Sequence, residues 1–142
     1  MALYIGLMSG TSMDGIDAAL VEFGSDSDQP RLLATHARAW PNELVQQLHT
    51  ICTPGDNEID RMGVLDQRVA EEFAHAVHAL LQTANITPEQ ICAIGSHGQT
   101  IRHRPESGFT LQIGNGARLA AMTRIDVICD FRTKDVALGG QG

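Results

Sequence analysis

From Ile59 the apolar residues recur at steps of three and four, through Met62, Leu65, Val69, Phe73 and Val77 to Leu80. This spacing predicts a long amphipathic helix that lays one side against a core. It is expected to end before Asn85, with His75 and His78 on its solvated side. Three strand candidates precede it. Leu3 to Met8 and Ile16 to Phe23 bracket a Gly-rich turn and read as a hairpin. Leu32 to Ala39 follows a second turn at Gly24 to Pro30. Pro41 suits a first helical position, because its missing N–H costs nothing there, and Leu44, Leu48 and Ile51 then share a face.

Beyond the long helix, Thr87-Pro88-Glu89-Gln90 has the pattern of a capping box with Pro at the first position. Ile91 to Gly95 reads as a short central strand, apolar on both faces. Phe109 to Ile113 is a strand, Ala117 to Met122 a helix, and Ile125 to Cys129 a further strand. The order βββαβαβ predicts an α/β fold with a mixed sheet and helices on its faces.

Composition narrows the function classes. The 142 residues carry a formal net charge of -7, which argues against a protein that coats nucleic acid. Backbone N–H groups can still bind phosphate without Lys. No apolar run approaches a membrane span, and Met1-Ala2-Leu3-Tyr4 has no basic start typical of a secretory signal. The expectation is a cytoplasmic protein that touches neither membrane nor nucleic acid. Cys52, Cys92 and Cys129 form no CxxC pair, and Cys92 and Cys129 are expected to be small buried hydrophobes. Leu138 to Gly142 reads as a loop that does not close a domain, so residues 1–142 are expected to be one part of a larger protein.

Three segments can carry chemistry. In the first hairpin turn, Gly10 and Gly15 allow several N–H groups to face one anion, and Thr11 and Ser12 add hydroxyls. Asp14 and Asp17 could hold Mg²⁺ through waters, since a hard cation takes oxygen ligands. There is no Walker lysine, and a strand rather than a helix follows, so the segment is neither a Walker loop nor a dinucleotide fingerprint. An ordinary hairpin turn is the alternative. The second segment, Gly95-Ser96-His97-Gly98-Gln99-Thr100-Ile101-Arg102-His103, follows a central strand, where ligands collect in open α/β sheets. Its alternative is a surface loop, and His97 and His103 have no third ligand spaced to make a metal site. The third, Asp130-Phe131-Arg132-Thr133-Lys134-Asp135, is either a salt-bridge cluster or a site where a carboxylate acts on a hydroxyl and a cation neutralises phosphate.

Together these segments resemble the anhydro-N-acetylmuramic acid kinases. The matching stretches are residues 6–17, 93–103, Thr110-Leu111-Gln112-Ile113-Gly114-Asn115, and 130–142, in that order along the chain. The resemblance implies a ribonuclease-H-like lobe of the two-lobed fold shared by sugar kinases, actin and heat-shock chaperones, with residues 1–142 most of the first lobe. It implies a kinase that uses ATP, Mg²⁺ and water. Water opens the 1,6-anhydro bond while O6 receives the γ-phosphate, giving N-acetylmuramic acid 6-phosphate in peptidoglycan recycling.

By that resemblance Gly10, Thr11, Ser12, Met13, Asp14, Gly15, Ile16 and Asp17 form the ATP-phosphate loop. Ser96, His97, Gln99, Thr100, Asp130, Arg132 and Lys134 face the sugar. The wider superfamily opens with D-x-G-G/T-T, and Leu7 stands where that Asp would be, so Mg²⁺ falls to Asp14 or Asp17. The water-activating base belongs to an F-D-x-G-P-G-N segment that these 142 residues do not contain, which leaves Asp130 as a weak candidate near the sugar. A homodimer is plausible for the full protein. The alternative is an actin- or chaperone-like nucleotide switch that shares the phosphate turn and phosphorylates no sugar.

Overall fold

Alternating burial builds the first hairpin. In β1 (Ala2–Met8), Ile5 and Leu7 point into the core, and in β2 (Ile16–Phe23), Ile16, Ala18 and Leu20 do the same, as a period of two dictates. The computed structural model describes residues 1–24 and 29–142, so the turn expected at Gly24 to Pro30 lies largely outside the described residues. β3 (Arg31–Arg38) returns antiparallel to β2.

Helix α1 (Asn42–Ile51) buries Leu44, Leu48 and Ile51. Pro41 is not its first residue. Its ψ of 135° is extended, which makes it the residue that enters the helix. Helix α2 (Glu58–Ala84) carries the long stripe, and Asn85 ends it in the left-handed conformation that Asn tolerates. Leu65, Val69, Phe73, Val77 and Leu80 are buried. Ile59, expected on the same face, is 80% exposed, because it lies in the first turn, ahead of the stretch that rests on the sheet. The capping box at Thr87 and Gln90 forms around a single 3-10 turn.

β4 (Ile91–Ser96) then runs parallel to β1. The next segment is not the loop expected from the sequence. β5 (Gln99–Arg104) and β6 (Phe109–Ile113) pair antiparallel as a separate two-stranded ribbon. Helix α3 (Gly116–Thr123) leads to β7 (Val127–Cys129), shorter than expected and parallel to β4. A short helix α4 (Thr133–Ala137) occupies part of the last polar segment.

The main sheet has the order β3-β2-β1-β4-β7, antiparallel on one side and parallel on the other. This is the expected α/β mixed sheet with the ribbon inserted between β4 and α3. Helix α2 covers one face, and the opposite face is open at Gly6, Met8, Asp17, Thr35 and Ala37. Both cysteines expected in the core are exposed. Cys92 is the extra residue where the β1–β4 register slips, so it falls outside the ladder. Cys129 ends an edge strand. Among the described residues no helix is long and apolar enough to cross a membrane.

Candidate functional site

The turn joining β1 to β2 closes on a backbone bond from Met13 N–H to Gly10 C=O, 3.1 Å. Met13 has φ of 56°, in the left-handed region. A turn ending in a left-handed residue can direct successive N–H groups to one side, which makes a concavity for an anion. That conformation costs roughly 1–2 kcal/mol for a residue with a side chain. Burial of the Met13 side chain, worth about 1.5–3 kcal/mol, offsets it.

The eight residues of this segment divide by orientation. The Met13 and Ile16 side chains belong to the core, so only their backbone can serve a ligand. Thr11, Ser12, Asp14 and Asp17 are exposed. Gly10, Ser12, Asp14, Gly15 and Asp17 line a cleft of about 500 Å³ with Arg38, whose guanidinium is held by Glu72 at 2.8 Å. Two exposed carboxylates beside a phosphate-sized turn fit Mg²⁺, which binds through one or two carboxylates together with phosphate oxygens. Among the described residues no three His, Cys, Asp or Glu side chains gather to hold a metal by themselves. Leu7 is buried in the core, whereas Asp17, paired across the hairpin with Met8, faces outward.

The second segment is a strand end, a tight turn and a strand start. Ser96 is 1% exposed, and its hydroxyl has no protein partner. The His97 N–H donates to Leu7 C=O at 3.1 Å. Gly98 turns the chain at φ of 77°, and a Cβ there would stand 2.6 Å from the Ile113 carbonyl oxygen. Gln99, expected to face the sugar, is 0% exposed, with its amide spent on internal bonds. The Thr100 hydroxyl accepts from Gln112 at 3.1 Å and from Arg132 at 3.3 Å.

In the third segment the Asp130 carboxylate accepts a hydrogen bond from the Thr133 hydroxyl. Asp135 accepts from the Gly142 N–H at 2.8 Å. The salt-bridge reading of this segment fails: among the described residues none of the ion pairs includes Asp130, Arg132, Lys134 or Asp135. Lys134 is exposed and lines neither cleft.

Ser96, His97, Asp130 and Thr133 come together with Asp66, Gln112 and Asn115 around a second cleft of about 360 Å³. Thr100 and Arg132 meet each other beside it rather than within its lining. Asp66 was not legible from sequence. It comes from α2, accepts the Gly114 N–H at 2.8 Å through its carboxylate, and accepts the Asn115 N–H at 3.1 Å through its carbonyl. On the sequence it is one more polar residue of a helix.

A shallow hollow on the open sheet face has Gly6 and Gly95 in its floor and Phe131 at its side. Asp17 lines both this hollow and the first cleft, and His97 lines both the hollow and the second cleft.

A mixed sheet in this order, with an antiparallel hairpin of β1 and β2 beside the parallel pair β1 and β4, is consistent with the N-terminal lobe of sugar kinases and actin-like proteins. The family model for anhydro-N-acetylmuramic acid kinase matches residues 2–142. The chain is 59% identical over 141 residues to the anhydro-N-acetylmuramic acid kinase of Shewanella pealeana, covering 98% of this chain and 38% of that protein. It is 59% identical over 143 residues to that of Shewanella sp. strain ANA-3, and 56% over 143 residues to that of Shewanella amazonensis, with 99% of this chain and 38% of each relative covered. The chain belongs to the anhydro-N-acetylmuramic acid kinase family, and it spans 38% of the length of these relatives.

Proposed function

We propose that this chain is the first lobe of an ATP-dependent kinase that opens the 1,6-anhydro bond of anhydro-N-acetylmuramic acid with water and phosphorylates O6. The product is N-acetylmuramic acid 6-phosphate, and the setting is cytoplasmic peptidoglycan recycling. The observation that carries this reading is that one hollow on the open sheet face, lined by Gly6 and Gly95, borders both clefts through Asp17 and His97. Phosphoryl transfer asks mostly for positioning and charge neutralisation. A phosphate turn on one side of that hollow and a polar cleft on the other supply that arrangement.

The chain's residues divide between two tasks. The turn Gly10 to Asp17 holds the nucleotide phosphates through backbone N–H groups and the Thr11 and Ser12 hydroxyls. Asp14 and Asp17 hold Mg²⁺, which neutralises charge on the phosphates when bound. Ser96, His97 and Asp130 face the sugar, and the unpartnered Ser96 hydroxyl offers a hydrogen bond to a sugar oxygen. The base that activates water lies outside these residues.

Steady-state kinetics of the protein that carries this chain tests the division. Ser96→Ala is expected to raise KM for the sugar and leave KM for ATP within twofold. Asp17→Asn is expected to raise the Mg²⁺ concentration needed for half-maximal rate. A Ser96→Ala variant with unchanged sugar KM would remove the second cleft from the reading.

A further inference from the structure

We propose that Gln99 is a positioning residue that aims the phosphate-binding N–H of the hairpin turn from inside the core, touching neither nucleotide nor sugar. The inference rests on the reading of Gly10 to Asp17 as the phosphate turn.

Every polar hydrogen of the Gln99 amide is committed. Its Nε2 donates to the Gly10 carbonyl at 3.2 Å and to the Thr100 carbonyl at 3.3 Å. Its Oε1 accepts from the Ser9 hydroxyl at 2.5 Å. Ser9 in turn accepts from the Trp40 indole N–H at 3.2 Å. Gln99, Ser9 and Trp40 are 0%, 2% and 5% exposed, so water does not compete for these bonds. The partners are 89 and 90 residues away from Gln99 along the chain, so the contact exists only in the folded lobe.

The consequence for the turn follows from peptide geometry. The Gly10 carbonyl and the Thr11 N–H belong to one planar trans peptide unit, and they point in opposite directions. The Gly10 oxygen receives Met13 N–H from within the turn and Gln99 Nε2 from the core, which occupies both of its lone pairs. With the carbonyl held inward from two sides, the Thr11 N–H is held pointing away from the core, and Thr11 is exposed. A polar side chain on β5 thereby fixes the direction of a donor on the β1–β2 turn. Through Thr100 the same strand touches Gln112 and Arg132, beside the second cleft. The positioning residue therefore stands between the two ligand-facing regions.

The test uses the full-length protein that carries this chain, with Mg-ATP binding measured by calorimetry and both KM values measured by steady-state kinetics. Gln99→Leu keeps most of the volume and loses the donors. Gln99→Glu keeps the size and the acceptor for Ser9 but sets oxygen against the Gly10 carbonyl. Both variants are expected to weaken Mg-ATP binding and raise KM for ATP about tenfold, the equivalent of one charge-assisted hydrogen bond, with KM for the sugar within twofold. Trp40→Phe removes a donor from the same buried cluster and leaves the Gln99–Gly10 bond in place. It is expected to lower the melting temperature with both KM values within twofold. A rise in sugar KM alone would overturn the proposal and return Gln99 to the sugar site. A fall in melting temperature with unchanged Mg-ATP affinity in both Gln99 variants would make its role purely structural and also overturn it. Wild-type protein that binds no Mg-ATP would instead overturn the phosphate-turn reading beneath it.

Discussion

Two glycines with nearly the same positive φ separate conformational strain from steric contact. Gly98 has φ of 77° and Gly108 has φ of 79°. A Cβ at Gly98 would lie 2.6 Å from the Ile113 carbonyl oxygen, a backbone atom on the paired ribbon strand, whereas a Cβ at Gly108 meets nothing within 4 Å. An alanine at either site costs roughly 1–2 kcal/mol for the left-handed conformation. At Gly98 the ribbon must also shift to relieve the contact, and overpacking of this kind costs about 1–3 kcal/mol more. Gly98→Ala is therefore expected to lose about 2–5 kcal/mol and Gly108→Ala about 1–2. That is a large share of a total stability of roughly 5–15 kcal/mol. Urea denaturation of the two variants in the same protein measures the difference. With an m-value of about 2 kcal/mol per molar, the Gly98→Ala midpoint falls roughly 0.5–1.5 M below that of Gly108→Ala. Equal midpoints would refute the close approach between the β4–β5 turn and β6, and with it the shape of the second cleft.

Three further outcomes follow from the same geometry. Phe73 is fully buried on the long helix and contacts the Trp40 ring at 6.0 Å between centroids. Phe73→Ala is expected to cost about 3–5 kcal/mol by chemical denaturation. The Arg102 guanidinium donates to Glu58 at 2.7 Å, and this hydrogen bond holds the Glu58 carboxyl below its ordinary value of 4.5. The stability it supplies is present above that value and is lost as pH falls through the lower folded value. Glu58→Gln is thus less stable than wild type at pH 7, and the two denaturation midpoints should converge as the solution is acidified below 4.5 and through the lower folded value. Burial raises the Cys52 thiol pKa, with Arg102 opposing it more weakly. At pH 7.5 a thiolate-selective alkylating agent should label Cys52 more slowly than the exposed Cys92 and Cys129.

Local periodicity explains what the sequence revealed. The hairpin, α1 and α2 follow from alternation and from three-to-four spacing, because the pattern along the chain is the same pattern that packs the core. The ribbon strand β5 was illegible for the opposite reason. Gln99-Thr100-Ile101-Arg102-His103-Arg104 has one apolar residue, and its buried face is Gln99 and Ile101, so half of that face is polar and no apolar alternation marks the strand that pairs with β6. Asp66 joins the second cleft only because α2 passes beneath the turn at Gly114. Gln99 shows the same limit at a single residue. A polar residue in a polar segment reads as ligand-facing, and only the fold reveals that its amide is consumed by Ser9 and Gly10. Cys92 could be assigned to the core from its apolar neighbours, but a register slip is a property of two strands and is not visible in either one alone.

The measurement that bears most directly on the account is product identification. The full-length protein carrying this chain is incubated with Mg-ATP and anhydro-N-acetylmuramic acid, and the sugar is analysed by mass spectrometry. The account predicts a sugar that has gained both one water and one phosphate. Turnover of ATP with an unmodified sugar would contradict it and favour a nucleotide switch built on the same phosphate turn.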